Sequence, residues 1–167
     1  GMISENLAAN RYENKEMNNG IFMNVKKLGD IADKLVTDYD IVCKNPAQKV
    51  ESLSGGNIQK VVVARECSIE PDILIAEQPT RGVDVGAAEF IHKEIIKLRE
   101  RGTAVLLVSA DLNEVMELSD SLLVMFEGEF VAYINNPSQT TEEELGLYML
   151  GIKKQSQEEI GRAVNEF

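Results

Sequence analysis

The chain has 167 residues, enough for one domain with its own core or for one core piece plus a small subdomain. Its formal net charge of −11 argues against charge-driven duplex binding, because sequence-independent nucleic-acid affinity comes from Lys and Arg neutralising phosphates. No stretch reads as a signal peptide or as a spanning run of about 18 apolar residues, so membrane association is expected only through a partner.

In chain order, residues 3–10 carry little chemistry, and the polar run from Asn10 to Gly20 reads as a loop. From Asn24 onward Leu28, Ile31, Ala32, Leu35, Val36 and Tyr39 share one face of an amphipathic helix. Asn45-Pro46 ends that pattern. Cys43 and Cys67 have neither metal-ligand nor redox spacing, so reduced thiols in a cytosolic setting are expected.

The octet Leu53-Ser-Gly-Gly-Asn-Ile-Gln-Lys60 places a serine and two glycines ahead of a helix with apolar positions Ile58, Val61, Val62 and Ile69, ending near Glu70 before Pro71. First-turn amides, the positive end of the helix dipole and the Ser54 hydroxyl can converge on one anion, and the glycines let backbone come close. Ser-Gly-Gly alone, however, favours an ordinary capped helix after a turn.

Ile73-Leu-Ile-Ala76 is short, apolar and turn-bounded, which predicts a strand buried on both faces of a parallel sheet. Asp84 caps a second long helix with Ala88, Ile91, Ile95 and Leu98 as its apolar stripe and Gly102 as its stop. The charges from Lys93 to Arg101 read as its solvated face, with Glu94 and Lys97 paired, and His92 as a surface or packing residue. Thr103 to Ser109 repeats the buried-strand pattern, and Asp111-x-x-Glu114 predicts a capping box opening a helix to about Leu118. Ser121–Phe126 and Glu129–Ile134 flank Glu127-Gly128 as a hairpin, and Thr141 starts a helix toward Gly151. Met116, Met125 and Met149 are expected in the core. The structure of residues 155–167 is left open.

Taken together, Leu53–Asn57 and Ile73-Leu-Ile-Ala-Glu-Gln-Pro-Thr-Arg-Gly-Val-Asp-Val-Gly86 resemble the ATP-binding cassette (ABC) transporter ATPases. The first stretch looks like their signature loop, Ile73–Gln78 like their Walker B strand, and Gly82-Val83-Asp84 like their D-loop. The Asn57-x-Gln59-Lys60 ending and the run from Pro79 to Ala87 are similar to the ATPase subunits of sugar and nucleoside importers, particularly their second cassette. The resemblance covers about residues 3–152. It implies an α/β fold, a partial P-loop NTPase core with parallel strands plus a helical signature subdomain. Residues 3–70 would be that subdomain, 71–152 the C-terminal half of the core and 153–167 a tail.

The P-loop itself, G-x-x-x-x-G-K-[ST], which holds phosphates and Mg²⁺, is missing, so the chain is expected to be a piece of a longer protein and inactive alone. Where the family has Asp-Glu-Pro-Thr, this chain reads Glu77-Gln78-Pro79-Thr80. Glu77 retains a carboxylate able to support Mg²⁺ through water, but the Gln78 amide cannot act as a general base. That loss costs about 10²–10⁴-fold in rate. Ala110 falls at the family's switch histidine.

The resemblance thus implies a signature loop (Leu53, Ser54, Gly55, Gly56, Asn57, Gln59) serving ATP held by a partner cassette, a D-loop (Gly82, Asp84), and a degenerate own site at Glu77, Gln78 and Ala110. It also implies a second cassette, a membrane permease docking around Ile3 to Asp40, and a location on the inner face of the cell membrane. A non-hydrolytic interaction module and a soluble ABC ATPase of DNA maintenance are the rival readings. Acidity and the Asn57-x-Gln59-Lys60 ending count against the second.

Overall fold

The computed structural model describes residues 1–11, 18–19, 22–23 and 25–165. They fall into two compact units, residues 1–106 and 107–167. The loop expected from Asn10 to Gly20 lies largely outside the described residues, although the two-residue strands β1 (Asn18–Asn19) and β2 (Phe22–Met23) pair antiparallel there.

The first unit holds the helices α1 (Ile3–Leu7), α2 (Val25–Asp38), α3 (Gly55–Cys67) and α4 (Val85–Glu100). Its core joins Ile3 and Leu7 of α1, Ala32 and Leu35 of α2, Val61, Ala64 and Cys67 of α3, and Ile91, Ile95 and Leu98 of α4. The apolar face read for α2 is the one that packs, extended past the helix end by buried Tyr39 and Ile41. On α3 the buried positions are Val61, Val63, Ala64 and Cys67, while Ile69 is exposed, so the expected stripe through Val62 and Ile69 is corrected. The helix also stops earlier than Glu70, at Cys67, with Glu70 itself in the left-handed region at φ 49°.

A two-stranded sheet pairs β3 (Ile73–Glu77) with β4 (Ala104–Val108), of which Ala104 to Leu106 fall in this unit, α4 being the crossover between two parallel strands. Leu74, Ala76 and Val105 face the helical core. Ile73, Ile75 and Leu106 point the other way and are 68%, 67% and 56% exposed. The expectation of strands buried on both faces is therefore corrected: in a ribbon with helices on one side, alternate residues are left outside. Glu94 is a second correction, since it is buried and holds Lys97 at 2.6 Å, so only part of the 93–101 charge run is solvated. Gly102 ends α4 as expected, at φ 97°, with Thr103 N donating to Leu98 O and Gly102 N to Arg99 O, the paired bonds of a Schellman motif.

The second unit is built on the hairpin of β5 (Leu122–Phe126) and β6 (Glu129–Ile134), joined by Glu127 and Gly128 at φ 49° and 84°. Two positive φ values in a two-residue connection match the twist of the strands. A register shift after Val124 leaves Val131 and Ala132 consecutively buried. α5 (Leu112–Leu118) and α6 (Glu142–Met149) complete a core of Leu122, Val124, Val131, Ala132, Leu145 and Tyr148. Met116 packs against it, but Met125 and Met149 are exposed: Met125 lies on the outer alternation of β5 and Met149 ends α6. Asp111 caps α5 through Asn113 N and Glu114 N, yet its own N–H donates to Ser109 Oγ at 3.1 Å, so the reciprocal half of the expected box is replaced.

Residues 155–165 prove to be ordered. Gln155 N donates to Val131 O at 2.9 Å, and its side-chain amide both accepts from Tyr133 N (2.8 Å) and donates to Tyr133 O (3.1 Å). α7 (Gln157–Asn165) follows, its Ile160 buried, opened by a reciprocal box between Ser156 and Glu159.

Candidate functional site

Ser54 takes extended backbone (φ −66°, ψ 158°) and caps α3, its Oγ accepting from Asn57 Nδ2 at 2.9 Å and from Asn57 N at 3.4 Å. Asn57 in turn accepts from Val42 N through Oδ1 at 2.7 Å, which ties the loop to the segment after α2. Ser54 and Gly55 are exposed. The opening amides of an α-helix have no intrahelical acceptor, and here that end of α3 meets solvent.

Beside it stands a second capped helix start. Asp84 (φ −75°, ψ 164°) accepts from Ala87 N through Oδ1 at 2.9 Å and opens α4. A Cβ added to Gly56 would lie 3.0 Å from Asp84 Oδ2 and 3.1 Å from the Ala87 Cβ, so Gly56 is required for α3 and α4 to meet. Gln59, expected among the ligand residues, donates through Nε2 to Pro79 O at 2.8 Å. Lys60 is likewise committed: its Nζ donates to Asp40 O (2.8 Å), pairs with Asp40 Oδ2 (2.9 Å) and lies 4.8 Å from the Phe90 ring centroid.

At the end of β3, Glu77 is exposed and Gln78 occupies the left-handed region at φ 47°, an unfavourable place for a residue with a side chain. The turn it begins is closed by Arg81 N donating to Gln78 O (3.1 Å) and Val83 N to Thr80 O (3.3 Å), with Gly82 at φ 75°. The start of α3, the turn begun at Gln78 and Asp84 are thus brought together in the first unit. Ala110 lies in the second unit, exposed after β4. Among the described residues no three His, Cys, Asp or Glu side chains gather to hold a metal ion.

Cys67 and Cys43 are both free. Burial, then the nearby Glu94 and Glu66 carboxylates, pushes the Cys67 thiol up to about 12, and burial with Asp33 raises Cys43. Burial also raises Tyr39, whose ring meets Phe90 edge-on at 6.3 Å. A groove of about 460 Å³ runs between α1 and α2, lined by Met2, Glu5, Val25, Leu28, Asp33 and Pro46. Among the described residues no helix is long and apolar enough to cross a membrane.

No family model matches the chain. It is 44% identical over 161 residues to the guanosine import ATP-binding protein NupO of Bacillus subtilis, covering 96% of this chain and 31% of that protein. It is 40% identical to the nucleoside import ATP-binding protein NupA of Lactococcus lactis subsp. cremoris, covering 89% of this chain and 29% of that one. Identity is also 40% to the glucose import ATP-binding protein TsgD13 of Haloferax volcanii, over 89% of this chain and 27% of the relative. The chain therefore spans less than a third of the length of these curated relatives.

Among solved structures, the dimeric bacterial ABC transporter cassette MJ0796 matches with a TM-score of 0.66 at 24% identity, covering 81% of this chain and 56% of that one. An ATP-binding subunit of an ABC transporter matches with a TM-score of 0.68 at 16% identity, covering 90% and 62%. These likenesses bear on the fold. The sequence relatives identify the chain as a homologue of part of the sugar and nucleoside import ATP-binding proteins, and the structural likenesses show the fold of an ABC ATPase cassette.

Proposed function

We propose that the chain is the helical subdomain and C-terminal core half of one cassette in the ATP-binding subunit of a sugar or nucleoside importer. Its signature loop serves an ATP site whose phosphate-binding loop and base belong to a partner cassette, while its own site holds nucleotide without turning it over. The observation that carries this reading is the solvent-facing, Ser54-capped start of α3, with exposed Gly55 leaving room for another chain's phosphates.

The degenerate half rests on chemistry: Gln78 cannot take a proton from water, and Ala110 offers no imidazole. Glu77 would contribute to Mg²⁺ only through water and only with the donors of the complete assembly. The permease would dock in the α1–α2 groove, and the subunit would work on the cytoplasmic face of the membrane.

The test is Ser54→Ala in the whole subunit, with ATP turnover as the readout. A loss of about 10-fold or more is expected for removal of a transition-state contact, and unchanged turnover refutes the reading. The absent base at Gln78 also favours a second reading, a non-hydrolytic interaction module. Dimerisation that depends on nucleotide supports the first reading, and dimerisation indifferent to nucleotide supports the second.

A further inference from the structure

Gln59 carries an amide at the second turn of α3, with its Nε2 spent on the Pro79 carbonyl at 2.8 Å and its side chain partly buried. A donor already engaged inside the cassette is poorly placed to reach a nucleotide arriving from outside. The acceptor is informative too, because Pro79 is buried and sits between strained Gln78 and the Thr80–Val83 turn. One turn of helix away, Gly56 lets α3 press on Asp84 and Ala87 with no room for a methyl group. The start of α3 is thus held against one segment, residues 78–87, at two places, one polar and one steric.

We propose that Gln59 is a positioning residue for ATP turnover: through the Pro79 carbonyl it fixes the start of α3, and with it Ser54, relative to the turn after β3. This rests on the reading of Ser54 as a phosphate contact for a partner cassette. Ser54 is fastened locally by Asn57, and Asn57 by Val42, but neither bond ties α3 to the strand end. Gln59 makes that connection. If its bond is lost, the helix start keeps its internal geometry and loses its placement, and small misplacement of a catalytic contact lowers the rate more than it weakens binding.

The experiment compares Gln59→Met, Gln59→Lys and Ser54→Ala in the whole importer subunit, measuring kcat and KM for ATP and backbone amide exchange at Arg81 and Val83. Gln59→Met keeps length without a donor. It is expected to lower kcat about 10-fold with KM within about twofold, the loss of one neutral hydrogen bond read in the transition state. Exchange at Arg81 and Val83 is expected to rise about 10-fold while the rest of the molecule is unchanged, which separates placement from general destabilisation. Gln59→Lys retains a donor of sufficient reach and is expected to recover kcat to within about threefold.

A rise in KM with kcat intact would overturn the proposal, because it would make Gln59 a direct nucleotide contact. So would a Gln59→Met variant that turns over normally while Ser54→Ala does not. If Ser54→Ala alone leaves turnover untouched, the reading of the signature loop fails. The Gln59–Pro79 connection is then still decided by the exchange at Arg81 and Val83.

Discussion

Replacing Gly56 by alanine sets two effects against each other. Alanine is favoured over glycine in a helix by about 1 kcal/mol, so on propensity alone G56A should stabilise α3. The added Cβ, however, falls 3.0 Å from Asp84 Oδ2 and 3.1 Å from the Ala87 Cβ. Carbon atoms in contact prefer about 3.5–4 Å, and Ala87 is anchored by the backbone of α4 and cannot swing aside. Either the two helices separate or Asp84 turns away from Ala87 N, which it holds at 2.9 Å. Overpacking costs about 1–3 kcal/mol and a disturbed helix cap about 0.5–2 kcal/mol. The net expectation is destabilisation by about 1–3 kcal/mol.

Gly29, inside α2 with nothing within 4 Å of its added Cβ, is the matched control, and G29A is expected to stabilise by about 0.5–1 kcal/mol. Urea unfolding followed by far-ultraviolet circular dichroism decides it. The midpoint should fall for G56A and rise for G29A with unchanged slopes. A G56A midpoint at or above that of the parent refutes the close packing of the two helix starts.

Gly151→Ala is expected to be more costly than Gly102→Ala, measured in the same way. Both have positive φ, but only at Gly151 does the new Cβ meet the Phe126 ring, at 2.5 Å. Gln155→Ala removes two bonds to Tyr133 and uncovers backbone on β6; a loss of about 1–2 kcal/mol and concentration-dependent self-association by light scattering are expected. Cys67, raised on folding from 9.0 to about 12, stays protonated in the native state where the unfolded chain loses its proton. Its contribution is complete below about pH 8.5 and disappears as pH climbs toward 12, so the alkaline fall in urea midpoint should be shallower in Cys67→Ala.

Helices with a clear apolar face were legible in the sequence. The six residues read for α2 all reach or border the core, and Asp84, Gly102, Glu127-Gly128 and Thr141 punctuate the chain where their side-chain and backbone chemistry predicted. The strand faces were less legible, because an apolar run such as Ile73–Ala76 reads the same whether one or two layers cover it. Glu94 shows a related limit: charge runs suggest solvent, and nothing local reveals that one carboxylate points inward beside Cys67.

At the candidate site, Ser54 was legible as a helix cap from residue type, whereas its reading as a phosphate contact came from the resemblance. The roles of Gln59 and Lys60 depend on partners 20 residues away, Pro79 and Asp40, and only the fold brings these together. One local signal was missed. Ser156-Gln-Glu-Glu159 is a capping-box pattern, and it opens α7.

Lys60 is turned away toward Asp40 and Phe90, so its ammonium does not serve the opening of α3. An anion arriving there would meet the first-turn amides and the Ser54 hydroxyl, with the Asp84 carboxylate close by. Such a seat would reward correct orientation above charge.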